Sequence, residues 1–287
     1  MKIKIGTRKS KLAVAQTDMA AEKIRKAFPN IEIEIVHIST KGDLVLDKPI
    51  ADIGGRGVFV SEIEKALLDK TIDIAVHSAK DLPVKLADGL EISGVLERGN
   101  YRDVLAVKKG VTINKTDSCK IGTGSIRRRI NFKNIYPNAE FENIRGNVDT
   151  RLEKLYNAEY DGIILAAAGL ERLGLINSEK FDFIPFDYKE FLPAPCQGII
   201  AVEGRKKDFT ENIINEISDK NTLYSFETER LVSRKLNADC GMPLGVYSFV
   251  KDSKITIVIS KDGINRVEKT EDFKNRLSLA EELILCL

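Results

Sequence analysis

The chain of 287 residues contains no tryptophan, two histidines, four cysteines and eight prolines, and 45 Lys+Arg against 43 Asp+Glu leave a formal charge of only +2. A near-neutral chain has no global basic field to hold it on nucleic acid or anionic lipid, and 7% aromatics without Trp leave little to stack on bases. Any basic site must therefore be local. Cys119, Cys196, Cys240 and Cys286 form no C-x-x-C pair, so neither a zinc ribbon nor a thioredoxin-type dithiol is indicated. With only His37 and His77 there are few routes to a His-rich metal site or a Ser-His-Asp arrangement. No metal is expected, and acid–base work falls to a carboxylate. No apolar run approaches the ~18 residues that span a bilayer, and the opening MKIKIGTRKS lacks the apolar region of a secretory signal. The expectation is a cytoplasmic protein with no nucleic-acid or membrane partner.

What is present reads as repeated βα alternation, the pattern of open α/β sheets. At roughly 150 residues per domain the length suggests about two domains, with three small ones an alternative. Lys2 to Ile5 alternates like a strand, Gly6-Thr7-Arg8-Lys9-Ser10 leads into an amphipathic helix ending near Phe28, and Ile31 to Ile38 alternates again. The glycine-dense Gly54-Gly55-Arg56-Gly57 is followed by Ser61-Glu62-Ile63-Glu64, a capping-box pattern, with Val60, Ile63 and Leu67 on one helical face. A strand over Ile72 to Val76 ends in His77-Ser78-Ala79-Lys80-Asp81-Leu82-Pro83. The polar, turn-like segment 97–103 and the segment 192–198 are candidate crossing points between domains. Between them lie Gly122-Thr123-Gly124-Ser125-Ile126-Arg127-Arg128-Arg129, Asn143-Ile144-Arg145-Gly146-Asn147, a helix over Thr150 to Tyr156 and an apolar, buried-strand run at 161–168. A helix over Thr222 to Leu236, a loop at 237–243 and alternating strands such as Ile255 to Ile259 suggest a small α+β end piece.

In open α/β sheets ligands bind beyond the carboxyl ends of the strands, where helix N-termini offer unpaired N–H groups. This chain places Arg8, Arg56, Arg127, Arg128, Arg145 and Arg151 in or beside such loops. The arginine fork matches carboxylate or phosphate, so the inferred ligand is a polyanion. Gly122-x-Gly124 lacks the third glycine of a dinucleotide fingerprint and no phosphate-cradling G-x-x-x-x-G-K-[ST] occurs. Asp81, just past a strand, is the carboxylate placed to stabilise a developing cation or pass a proton. His77 reads as a satisfied structural histidine. Cys240, in the loop Asn237-Ala238-Asp239-Cys240-Gly241-Met242-Pro243, is the leading candidate for a covalent attachment point, with Cys196 its rival and Cys119 and Cys286 packing or terminal residues. The same arginines would serve a non-catalytic polycarboxylate-binding protein, which would need neither Asp81 nor Cys240.

These motifs occur in an order that resembles the porphobilinogen deaminase (hydroxymethylbilane synthase) family, from Gly6-Thr7-Arg8-Lys9-Ser10 through Thr40-Lys41-Gly42-Asp43, the block 72–83, Arg145-Gly146-Asn147 and Leu165-Ala166-Ala167-Ala168-Gly169-Leu170-Glu171-Arg172 to the cysteine loop. The resemblance implies a transferase that joins four porphobilinogen molecules head to tail, releasing ammonia each time, on a dipyrromethane cofactor linked through a thioether to Cys240. It implies Asp81 as the catalytic aspartate. It further implies Lys80, Thr123, Ser125, Arg127, Arg128 and Gly146 at the cofactor, and Arg8, Ser10, Arg145, Arg151 and Arg172 at the substrate. The implied fold is two α/β lobes like those of periplasmic binding proteins, 1–98 with 199–218 and 99–198, plus a small α+β domain over 219–287, working as a monomer. Asn237-Ala238-Asp239 stands where the family more often has glycines before the cysteine, Cys196 where a small residue is usual, and Arg56 where lysine is frequent.

Overall fold

A computed structural model of the chain describes residues 1–40, 60–239 and 241–287. The glycine-dense Gly54-Gly55-Arg56-Gly57, Lys41-Gly42-Asp43 and Cys240 lie outside the described residues. The chain forms two compact units, Met1–Gly99 with Ile199–Asp239 and Asn100–Gly198 with Cys240–Leu287.

In the first unit the sheet order is β2-β1-β3-β10-β4, with β1 (Lys2–Arg8), β2 (Glu32–Ile38), β3 (Ile74–Ser78), β4 (Leu90–Val95) and β10 (Ile200–Arg205). β1 runs parallel to β2 and β3, whereas β10 returns from beyond the second crossing and pairs antiparallel with both β3 and β4. Alternation in β1 turns Ile3 and Ile5 into a core with Ile74, Val76 and the Ala20, Ala21 and Ile24 face of the helix Lys11–Ala27. A second core of Ile63, Leu67, Ile72, Ala75 and Leu90 lies under the helix Ser61–Leu68. β1 continues to Arg8 instead of stopping at Ile5 because its parallel pairing extends to Arg8 opposite Ile38. At Gly6 the backbone passes close to a core side chain: a Cβ there would meet Ile72 Cδ1 at 2.3 Å. The expected capping box does not form, since Val60 is the N-cap without a side-chain bond and Glu64 Oε1 accepts instead from the Ala87 N–H at 2.9 Å.

The second unit repeats the design with order β7-β6-β8-β5-β9, where β5 is Asp103–Lys108, β6 Cys119–Gly122, β7 Ala139–Glu142, β8 Gly162–Ala166 and β9 Phe181–Pro185. β6 is parallel to β7 and β8, and β5 is antiparallel to β8 and β9. Asp103, read from sequence as part of a polar turn, opens β5 and is fully buried. Of the segment 219–287, the helix Lys220–Lys235 belongs to the first unit. The antiparallel sheet of β11 (Gly245–Lys251), β12 (Lys254–Ser260) and β13 (Val267–Asp272) belongs to the second.

The helix Lys220–Lys235 is anchored to the first crossing segment by a buried ion pair. Arg98 Nη1 donates to Glu229 Oε1 at 2.6 Å and Nη2 to Oε2 at 3.3 Å, with the Glu229 side chain wholly shielded from solvent. Removing one partner of such a pair leaves a desolvated charge behind and costs about 3–5 kcal/mol. Arg98→Ala is expected to lose that much in denaturant unfolding. A loss under about 1 kcal/mol would mean the pair contributes no more than an exposed bridge. The same helix ends with Asn237 at φ +47, its N–H donating to Arg234 O at 3.1 Å while the Ala238 N–H reaches Ser233 O at 2.9 Å. This is a Schellman ending with asparagine in the left-handed position, so a residue other than glycine makes the turn into Asp239.

Candidate active site

In the first unit the strand-to-helix loops meet at the carboxyl ends of β1 and β3. Ser10 caps the helix Lys11–Ala27 through Oγ, which accepts from the Ala13 N–H at 3.3 Å. Gln16 Nε2, buried on that helix, donates to Ser78 Oγ at 2.8 Å and ties the first loop to the second. Ala79–Asp81 forms a single 3₁₀ turn directly after β3. A cleft opens here, lined by Arg8, Ser10, Gln16, His77, Ser78 and Asp81 among others. The Asp81 side chain is exposed in it. The chain just beyond it is held by Arg230, whose Nη2 donates to Pro83 O at 2.7 Å and Val84 O at 3.0 Å. Lys80, next to Asp81, is half-buried. His77 departs from the satisfied histidine expected at one atom: its Nε2 lies 3.0 Å from Glu203 Oε2, yet neither that nitrogen nor the Glu203 carboxylate oxygens have a hydrogen bond in acceptable geometry among the described residues.

In the second unit the carboxyl ends of the parallel strands β6, β7 and β8 carry the remaining cations. After β6, the Thr123 N–H donates to Glu142 O at 2.9 Å and Thr123 Oγ1 accepts from the Ser125 N–H at 3.2 Å. Ser125 caps the helix Ile126–Ile135. Arg127 and Arg128 open that helix, and both are buried against one carboxylate. Arg127 Nη1 lies 2.8 Å from Asp103 Oδ2, and Arg128 Nε and Nη2 lie 2.9 and 2.7 Å from Oδ1. Backbone carbonyls complete the clamp, Leu192 O accepting from Arg127 at 2.7 Å and Ile164 O from Arg128 at 2.9 Å. Burial pushes the Arg127 guanidinium below its usual range while Asp103 opposes the shift. Two cations thus share one anion, an arrangement that favours the arrival of a further negative group.

After β7, Gly146 takes φ +109, and a Cβ there would lie 2.8 Å from Thr150, so the turn into the helix Val148–Tyr156 requires glycine. Arg151 Nε donates to Gly146 O at 2.8 Å, and Arg145 beside it is half-buried. After β8, Arg172 Nη2 donates to Gly198 O at 2.6 Å. Burial pushes its guanidinium down to about 10, which leaves it cationic at neutral pH. Arg129, also in the triplet, is spent on Thr123 O and Asn143 Oδ1 and holds the loop instead of offering its charge.

The second crossing is a tight turn in which Pro195 precedes Cys196 at φ +61 and the Gln197 N–H returns to Ala194 O at 3.0 Å. That places a buried cysteine where glycine is the usual residue. Gln197 Nε2 then donates to Tyr101 O at 2.8 Å, tying the two crossing segments together. Sequence reasoning missed Asp103, Arg230, Gln16 and Glu203, because each acts through a partner distant in the chain. Among the described residues no cluster of three His, Cys, Asp or Glu side chains could hold a metal ion, and no helix is long and apolar enough to cross a membrane.

Residues 3–212 match the family model described as porphobilinogen deaminase, dipyromethane cofactor binding domain. Curated relatives named porphobilinogen deaminase include one from Alkaliphilus oremlandii, 44% identical over 94% of this chain and 90% of the relative. Another, from Acetivibrio thermocellus, is 45% identical over 95% of this chain and 93% of the relative. Among solved structures, the periplasmic VFT2 domain of Bordetella pertussis BvgS is similar at 13% identity and a TM-score of 0.45, covering 82% of this chain and 92% of that one. The match to the family model and the identity to whole-length relatives establish that this chain belongs to the porphobilinogen deaminase family.

Proposed function

We propose that this chain deaminates porphobilinogen and condenses four molecules head to tail into hydroxymethylbilane, on a dipyrromethane group joined through a thioether to Cys240. The observation that carries the reading at this site is the buried Arg127–Arg128 pair with one carboxylate between two guanidinium charges. Such a pair suits a ligand bearing acid arms, and so the residues present fit the cofactor. When bound, that group supplies the free pyrrole carbon to which new units are added.

The chain's own residues do the rest. Arg127 and Arg128, with Lys80, Thr123, Ser125 and Gly146, hold the acid arms of the cofactor, Ser125 and Gly146 by bringing backbone N–H groups close. Arg8, Ser10, Arg145, Arg151 and Arg172 take the acetate and propionate of the incoming substrate. Asp81 accepts hydrogen bonds from pyrrole N–H groups and stabilises the positive charge that develops as ammonia leaves. Beside the bound cofactor Asp81 would hold the pyrrole N–H and balance positive charge while the new unit is joined, the displaced proton leaving with the released ammonia as ammonium. The working unit is a cytoplasmic monomer with no nucleic-acid or membrane partner. Its functional partition is 1–98 with 199–218, 99–198, and 219–287, with hinges near 97–103 and 192–198.

The test is stoichiometry. Purified protein incubated with porphobilinogen is expected to release four ammonia molecules per linear tetrapyrrole formed. Saturable binding of porphobilinogen without ammonia release would favour a polycarboxylate-binding protein instead.

A further inference from the structure

The buried carboxylate of Asp103 has no part in the reaction as set out above, and its placement calls for one. It is fully buried, begins β5, and bridges the two arginines through different oxygens, Oδ2 to Arg127 and Oδ1 to Arg128. The two guanidiniums are side by side on consecutive residues and repel each other, so without a shared anion they would splay or shed their charge into solvent. With it they are fixed from three sides, by Asp103, by Leu192 O and by Ile164 O. Among the described residues Arg127 keeps Nε and Nη2 unspent, since its hydrogen bonds to Asp103 and Leu192 both run through Nη1. A preset fork held within a fraction of an ångström is worth far more to orientation than a mobile one.

We propose that Asp103 is a positioning residue for the reaction: it sets the place and the net single positive charge of the Arg127–Arg128 pair, and through them the alignment of the cofactor's acid arms. The inference rests on the reading of these arginines as cofactor ligands. It adds that the anion between them, and not the arginines alone, decides how well the growing chain is aligned.

The experiment compares full-length wild type, Asp103→Glu and Asp103→Asn. Intact mass gives the fraction of chains carrying the adduct, and kcat and KM for porphobilinogen are expressed per adduct-bearing chain at a temperature well below each unfolding midpoint. Asp103→Glu keeps the charge but displaces it by one methylene, and kcat is expected to fall at least about threefold; Asp103→Asn keeps the shape but loses the charge, with an expected fall of at least about thirtyfold. KM is expected to stay within about threefold in both. A merely structural role would lower the unfolding midpoint and the yield without moving kcat per loaded chain. Wild-type kcat in either folded variant would overturn the proposal, and Asp103→Glu decides the matter if Asp103→Asn does not fold. If the wild type itself carried no adduct and made no product, the underlying functional reading would fail instead, and the two failures are thereby distinguishable.

Discussion

Asp81→Asn is expected to lower kcat by about 10²–10³-fold with little change in stability or in KM. Asparagine preserves size and can still accept a hydrogen bond, so the substitution isolates the negative charge. That charge matters only while positive charge is developing on a pyrrole, which is why the loss falls on kcat. The fold should tolerate it: Asp81 is exposed, sits in a single 3₁₀ turn, and the chain beyond it is secured by Arg230 through backbone carbonyls that the substitution leaves in place. Changes at such exposed positions usually stay within about 0.5 kcal/mol. Steady-state kinetics beside thermal unfolding checks both halves. A variant with wild-type kcat would remove Asp81 from the chemistry, and one that unfolded would make it structural.

Cys240→Ser is expected to abolish covalent loading and bring product formation to background. A thiol near neutral pH has an appreciable thiolate fraction, whereas a serine hydroxyl without an adjacent base is a far weaker nucleophile. Cys119 and Cys196 are buried, and burial pushes the Cys119 thiol above its usual range, so neither is placed to substitute. Cys286 is exposed but hydrogen-bonds back to Glu282 O in the last helix. Product at an undiminished rate from Cys240→Ser would move the attachment elsewhere, and Cys196 would then be mapped first.

Local periodicity carried most of the fold. The helix Lys11–Ala27, the helix Lys220–Lys235 and β12 are legible because each buries one face of a regular element, and sequence spacing records which face. The cations of the site are legible for a related reason, since loops that follow parallel strands can be found from the strands. What sequence spacing does not record is the partner across the fold. Asp103 meets Arg127 from 24 residues away and Arg230 reaches Pro83 across 147, and no local pattern encodes either. The insertion of β10 between β3 and β4 is equally silent, because an antiparallel strand arriving from the second crossing has the same alternation wherever it pairs. The capping box failed for the opposite reason: the local pattern was present, but Glu64 found a better partner in the Ala87 N–H, 23 residues on.

The most direct test of the account is the intact mass of the denatured chain followed by peptide mapping, before and after incubation with porphobilinogen. An added mass of two linked pyrrole units, carried by the peptide that contains Cys240, is expected. A chain that stayed unmodified at Cys240 after that incubation would contradict it.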